Sequence, residues 1–175
     1  MEIRVVKGQL IDSVLAEQII DLDRKNMQSI LDQSGIEFPY ENRRKVLQSD
    51  STFIIAFDKQ LVAGYLDYLR SWNNSDYIYI GSVQLEKTYR GTGLLLRLLD
   101  RFRALLAAED FVGFETNVQK ANTVAVKLCQ RIGFKLEPKN NASWAARAGK
   151  ELIIQSPIVT LIDRWRAREA LRLQG

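Results

Sequence analysis

Leu85-Glu86-Lys87-Thr88-Tyr89-Arg90-Gly91-Thr92-Gly93-Leu94-Leu95 is the stretch on which the reading of this chain turns. A strand-like segment precedes it, opening at Tyr77-Ile78-Tyr79-Ile80. A run at helical spacing follows it: Leu94, Leu95, Leu98, Leu99, Phe102, Leu105 and Leu106. Glycines at 91 and 93 free the backbone for positive φ and for close approach of a ligand. The loop amides and the first turn of the helix then point at one place. Unsatisfied N–H groups and the helix dipole make that place an anion site. Arg90 adds a fixed positive charge at the rim. Alone, the same residues would serve equally as a tight turn into a helix. They do not form a P-loop, since Gly-Lys-Ser/Thr is missing, and they lack the dinucleotide-fingerprint spacing.

Outward from this turn the chain alternates in period. Ile3–Val6 reads as a strand, and Ser13–Gln33 as a helix stopped by Gly35. Gly35 to Tyr40 is a loop, because Pro39 disfavours helix at Phe38, and Glu41–Gln48 is a short helix. Thr52–Phe57 and Leu61–Trp72 form a hairpin about Asp58-Lys59-Gln60, and Asn73–Asp76 is a second turn. Beyond the leucine-rich helix, Val112–Val118 is a strand, Ala121–Ile132 a helix ending at Gly133, and Phe134-Lys135-Leu136 another strand. Pro138 to Lys150 shows no clear period. Leu152-Ile153-Ile154 reads as a last strand, and a basic helix runs from about 158 to 173 through Leu161, Ile162, Trp165 and Leu171. Hairpins first, then strands alternating with helices, predict an α/β fold with a mixed sheet. No repeat or linker divides the chain, so residues 1–175 are expected to form one domain.

A second segment strengthens the reading of the turn. Val118 to Phe134 places an Asn at a helix start, an apolar stripe of Ala125, Leu128 and Ile132, and then Gly133-Phe134. By itself this is a capped amphipathic helix with a glycine stop. In this order and spacing the two segments resemble the GNAT (GCN5-related N-acetyltransferase) superfamily. Its first motif, Arg/Gln-x-x-Gly-x-Gly/Ala, is matched by Arg90 and Gly93 within Tyr89-Arg90-Gly91. Its second, Asn-x-x-Ala-x-x-Leu-Tyr-x-x-x-Gly-Phe, is matched by Asn122, Ala125, Leu128, Gly133 and Phe134.

The resemblance implies the acyl-CoA N-acyltransferase fold, a mixed and mostly antiparallel central sheet with splayed central strands, flanked by helices. It implies acetyl-CoA as co-substrate and a small-molecule or peptide amine as acceptor. The diphosphate would sit on Arg90, Gly91, Thr92, Gly93, Leu94 and Leu95. The pantetheine arm would lie between strands ending near Leu85 and Val118. The backbone amide of Leu85 would polarise the thioester carbonyl, and Asn122 would touch the cofactor. The loop holding Glu37, Phe38 and Tyr40 would wall the acceptor site. Its aromatics equally suit closure of a core edge.

Two positions depart from the pattern. Leu95 stands where the family has Gly or Ala, and Cys129 where many members have a Tyr acting as general acid. A thiol of ordinary pKa about 8.5 leaves tolerably as thiolate, and Cys129 could itself donate a proton or simply fill space on a helix. For the base that deprotonates the amine, Glu115 is the first candidate. A carboxylate in a central strand is costly unless it is paired or used. Glu86, Tyr79 and Asp67 are weaker ones.

Composition bounds the alternatives. The chain is 46% apolar and 26% charged, with 10 glycines and 3 prolines, which suits a globular core. It has no histidine, which excludes His-based triads and His-ligated metals, and the single Cys129 excludes an internal disulfide and a multi-cysteine zinc site. No metal is expected. The opening residues lack the apolar core of a signal peptide and no segment approaches the roughly 20 apolar residues of a membrane span, so a cytoplasmic enzyme without membrane contact is expected. The net charge of +4 suits either an anionic cofactor or nucleic acid. In the C-terminal helix, Arg164-Trp165-Arg166-Ala167-Arg168 could meet nucleic acid. Its apolar stripe favours packing on the domain, or on a second copy as a homodimer. Leu95 and Cys129 keep open a non-catalytic CoA-binding sensor or partner-binding module as the competing function.

Overall fold

A computed structural model describes residues 1–152 and 157–172. Seven strands form one sheet: β1 (Glu2–Lys7), β2 (Thr52–Asp58), β3 (Leu61–Arg70), β4 (Tyr77–Leu85), β5 (Gly113–Gln119), β6 (Lys135–Pro138) and β7 (Ser143–Gly149), in the order β1-β2-β3-β4-β5-β7-β6. The helices are α1 (Ser13–Asp32), α2 (Tyr40–Leu47), α3 (Leu94–Leu106), α4 (Thr123–Ile132) and α5 (Pro157–Arg172). Every strand pair is antiparallel except β4 with β5.

Local chemistry explains the boundaries. Asp12 caps α1 by accepting the Leu15 amide at 2.8 Å, and Gly133 ends α4 at φ 111°. Phe53 to Phe57 of β2 is buried on both faces, which is why that strand reads as an unbroken apolar run. On one face Ile54, Leu66, Ile78 and Phe114 pack with Leu94, Leu98, Phe102 and Leu106 of α3. On the other, Phe53, Ile55 and Tyr65 pack with Ile19, Ile20 and Leu22 of α1 and Leu47 of α2.

The structure corrects several expectations. Pro138–Lys150 contains β7, the strand that pairs with β5 along its whole length. Leu152 lies in a helical turn rather than a strand, while Ile153 and Ile154 fall outside the described residues, as does Leu173. Leu128 is exposed, and the inward face of α4 is Ala125, Val126, Cys129 and Ile132, one position off the expected stripe. Among the described side chains of α5, Val159 and the expected Ile162 are buried, whereas Leu161 and Leu171 face outward.

Candidate active site

The site begins where β4 and β5 part. Their parallel ladder covers Tyr77–Tyr79 against Gly113–Glu115 and stops there. β4 runs on to Leu85 and β5 to Gln119, with β7 on the far side of β5 and β3 on the far side of β4. Near its root the gap is bridged by side chains. Thr116 Oγ1 donates to the Ile80 carbonyl at 2.8 Å, and Asn117 Nδ2 donates to the Tyr79 hydroxyl at 2.9 Å. A bulge interrupts β3–β4 pairing, Asp67 facing Ser82 and Tyr68 facing Ile80, so Gly81 is the extra residue.

Alternation along β4 aims its amides. The Glu86 N–H bonds the Ala63 carbonyl at 2.9 Å, and Gly64 faces Leu85 in register. In an antiparallel ladder, successive N–H groups point to opposite sides. Leu85, and Val83 two residues earlier, therefore direct their amides away from β3 and into the gap.

The gap leads into the turn. Glu86 caps the 3-10 turn Lys87–Tyr89, and Thr92 Oγ1 closes it on the Tyr89 carbonyl at 2.7 Å. Gly91 and Gly93 then take φ of 78° and 85°, the left-handed region their missing Cβ permits. Gly93 sits at the N-cap of α3 without a side-chain cap, and the first bond into the helix is Arg97 N–H to Gly93 O at 3.2 Å. Among the described residues the amides of Gly91, Gly93, Leu94, Leu95 and Leu96 have no protein acceptor. Five free donors at a positive helix end fit a diphosphate. Leu95 is half-buried beside the inward Leu94–Leu98 stripe. Arg90 does not lie free at the rim. Its guanidinium donates to Asn26 Oδ1 at 2.6 Å, and Asn26 in turn donates to the Leu85 carbonyl at 3.1 Å, bracing the end of β4 against α1.

Glu115 is 7% exposed and lies directly across from Tyr79 at the root of the gap. Its Oε2 accepts from Ser71 Oγ at 3.1 Å. Its Oε1 lies 3.2 Å from an Arg147 nitrogen without an aligned hydrogen bond. Burial pushes the Tyr79 phenol up, and the exposed Trp72 ring leans on it at 5.7 Å. Cys129 packs on the opposite, α3-side core, where burial raises its thiol. Glu115 and Cys129 are thus reached from different faces of the sheet. Asn122 Oδ1 caps α4 through the Ala125 amide at 3.1 Å, leaving its NH2 group for a ligand.

The other candidates lie around α1. Glu86 faces Lys25 at 3.8 Å in a cleft of about 420 Å³ between α1 and the β2–β3 hairpin. Glu37 is exposed and Phe38 packs on the α1 core. The Tyr40 hydroxyl donates to the Glu17 carboxylate at 2.8 Å, while Glu37 and Phe38 line one shallow pocket with Gln28 and Asp32.

Sequence reasoning missed a buried ionic network. Arg43 of α2 donates to Asp23 Oδ2 at 2.5 Å, to Asp67 Oδ1 at 3.0 Å and to the Tyr65 hydroxyl at 2.7 Å, and Tyr65 donates to Asp23. Burial pushes both carboxyls up, and Asp67 Oδ2, which accepts no well-aligned hydrogen bond among the described residues, lies where a Cβ on Gly81 would fall. The alternation of Tyr65 with Asp67 was the available signal, since both point to the α1 face.

Comparison with known proteins agrees with this architecture. A model of the Acetyltransferase (GNAT) family matches residues 16–134. No curated protein matches the chain. Among solved structures, PaiA N-acetyltransferase from Thermoplasma acidophilum in complex with coenzyme A is similar at TM-score 0.63 and 15% identity, over 85% of this chain and 99% of that one. Aminoglycoside 6'-acetyltransferase type Ii gives 0.63 and 15% over 90% and 100%. Arabidopsis thaliana NAA60 in complex with a bisubstrate analogue gives 0.59 and 16% over 85% and 98%. With the family match spanning more than half of its length, this chain belongs to the GNAT acetyltransferase family.

Proposed function

We propose that this protein transfers an acetyl group from acetyl-CoA to the amine of a small molecule or peptide, its chain acting as one domain. One observation carries the reading: an unpaired β4–β5 segment, lined by the inward amides of Val83 and Leu85, opens onto the uncapped glycine turn. Acetyl-CoA, when bound, supplies an activated acyl group and a good leaving thiolate. The amides of Gly91, Gly93, Leu94 and Leu95 hold the diphosphate, with the Asn122 NH2 group beside the arm. The Leu85 amide stabilises the negative charge that develops on the carbonyl oxygen. An amine of pKa about 10.4 must first lose a proton, and Glu115, with its Oε1 free of an aligned hydrogen bond, accepts it directly or through water. Tyr79 and Asn117 position the acceptor at the root of the gap. Cys129 is the donor toward the departing sulfur from the α4 side, a weak one because burial raises its thiol. The coenzyme A held by the PaiA protein supports the choice of cofactor, and the aminoglycoside enzyme supports an amine acceptor.

The test is thiol release from acetyl-CoA against polyamines, amino acids, aminoglycosides and peptides. Turnover with any of them is expected. Protein that binds CoA and turns over none would instead be a CoA-binding sensor.

A further inference from the structure

The C-terminal helix lies beyond the family match, which ends at residue 134, and its location bears on the turn. α5 docks on α3 through buried Val159 and Ile162. Two ion pairs join the same helices, Arg166 to Asp100 at 2.6 Å and Arg103 to Asp163 at 3.3 Å. Partly exposed pairs of this kind add little energy but fix direction: as α5 advances from 163 to 166, its partners on α3 retreat from 103 to 100. The helix therefore runs back toward the N-terminus of α3. There Trp165 turns the pyrrole edge of its indole onto Gly93. A Cβ at position 93 would lie 3.0 Å from Trp165 Nε1 and 3.4 Å from Cδ1.

Position 93 is thus held to glycine twice, by its φ of 85° and by the indole against it. The indole nitrogen is a donor only, free to serve an anion brought beside it. Trp165 Nε1 lies against Gly93, next to backbone amides that have no protein acceptor among the described residues. The indole edge and these amides thus lie at the positive end of one helix.

We propose that α5 completes the cofactor site, with the Trp165 indole N–H donating to the diphosphate alongside the amides of the glycine turn. The inference rests on the acetyl-CoA reading of that turn and adds a contact from outside the family region. Trp165 is a binding residue here, and Arg166 and Asp163 position it through α3.

Calorimetric titration of CoA and of pantetheine, which lacks the diphosphate, into wild type and Trp165→Phe tests this. The Phe variant keeps most of the ring and loses the N–H. CoA affinity should fall about tenfold or more, the range for a hydrogen bond to a charged group, while pantetheine affinity stays unchanged. In wild type, the indole N–H resonance missing from the Phe variant should shift downfield on adding CoA. Equal CoA affinities with an unmoved indole signal would overturn the proposal. Tighter binding by the variant would also overturn it and mark α5 as an obstruction. Wild type that fails to bind CoA at all would instead overturn the acetyl-CoA reading itself.

Discussion

Arg43→Met should reveal how much of the fold rests on one buried cation. The Arg43 side chain is 10% exposed, Asp23 is 5% and Asp67 is 0%. Met keeps the aliphatic bulk and removes the charge. Two carboxylates and a phenol then lose their shared partner. Removing one member of a buried pair costs about 3–5 kcal/mol, and a cation serving two carboxylates belongs near the top of that range. For a chain of this size about 4 kcal/mol lowers Tm by roughly 8–16 °C. The deficit should depend on pH with a defined sign. Burial raises the folded pKa of Asp23 and Asp67 above the unfolded 3.8. Each therefore stabilises fully below the unfolded value, and that contribution is lost as pH rises through the folded one. Without Arg43 the raised values climb further, so the deficit should widen from pH 5 to pH 8. Urea unfolding at both pH values measures it, and Asp67→Asn added to Arg43→Met should recover part of the loss at pH 8. A deficit below about 1 kcal/mol, or one that narrows toward pH 8, would refute the argument.

Other consequences follow from the site. Gly93→Val forces a β-branched residue to φ 85° against the indole, and should lower CoA affinity at least tenfold by calorimetry while the core stays folded. Glu115→Gln should reduce kcat by about 10²–10⁴ with CoA affinity unchanged, as steady-state kinetics and titration together would show. Cys129→Ala should lower kcat by less than about tenfold, because a thiolate of ordinary pKa about 8.5 leaves without much help. A larger loss would make the thiol the principal acid.

Much of this was legible because the relevant residues obey local rules. The turn declares itself through Gly91 and Gly93, and α3 through its leucine period. β2 shows as an apolar run, and α4 through Asn122 and Gly133. β7 was not legible. Its Ser-Trp-Ala-Ala-Arg-Ala-Gly is poor in β-branched residues, and the strand exists because β5 and β6 pair with it on either side. The Arg43 network was not legible either, since sequence does not show that α1, α2 and β3 close over it. Leu128, Leu161 and Leu171 show that a stripe fixes period but not phase. Nothing in the sequence links Trp165 to Gly93, because that contact depends on how α5 docks.

The backbone amides of Gly91, Gly93, Leu94 and Leu95 are the claim's centre, and their NMR resonances report on them one by one. Titration with CoA should move these four signals most, together with Val83 and Leu85 along the gap. Saturating CoA that leaves them in place while shifting signals elsewhere would contradict the account.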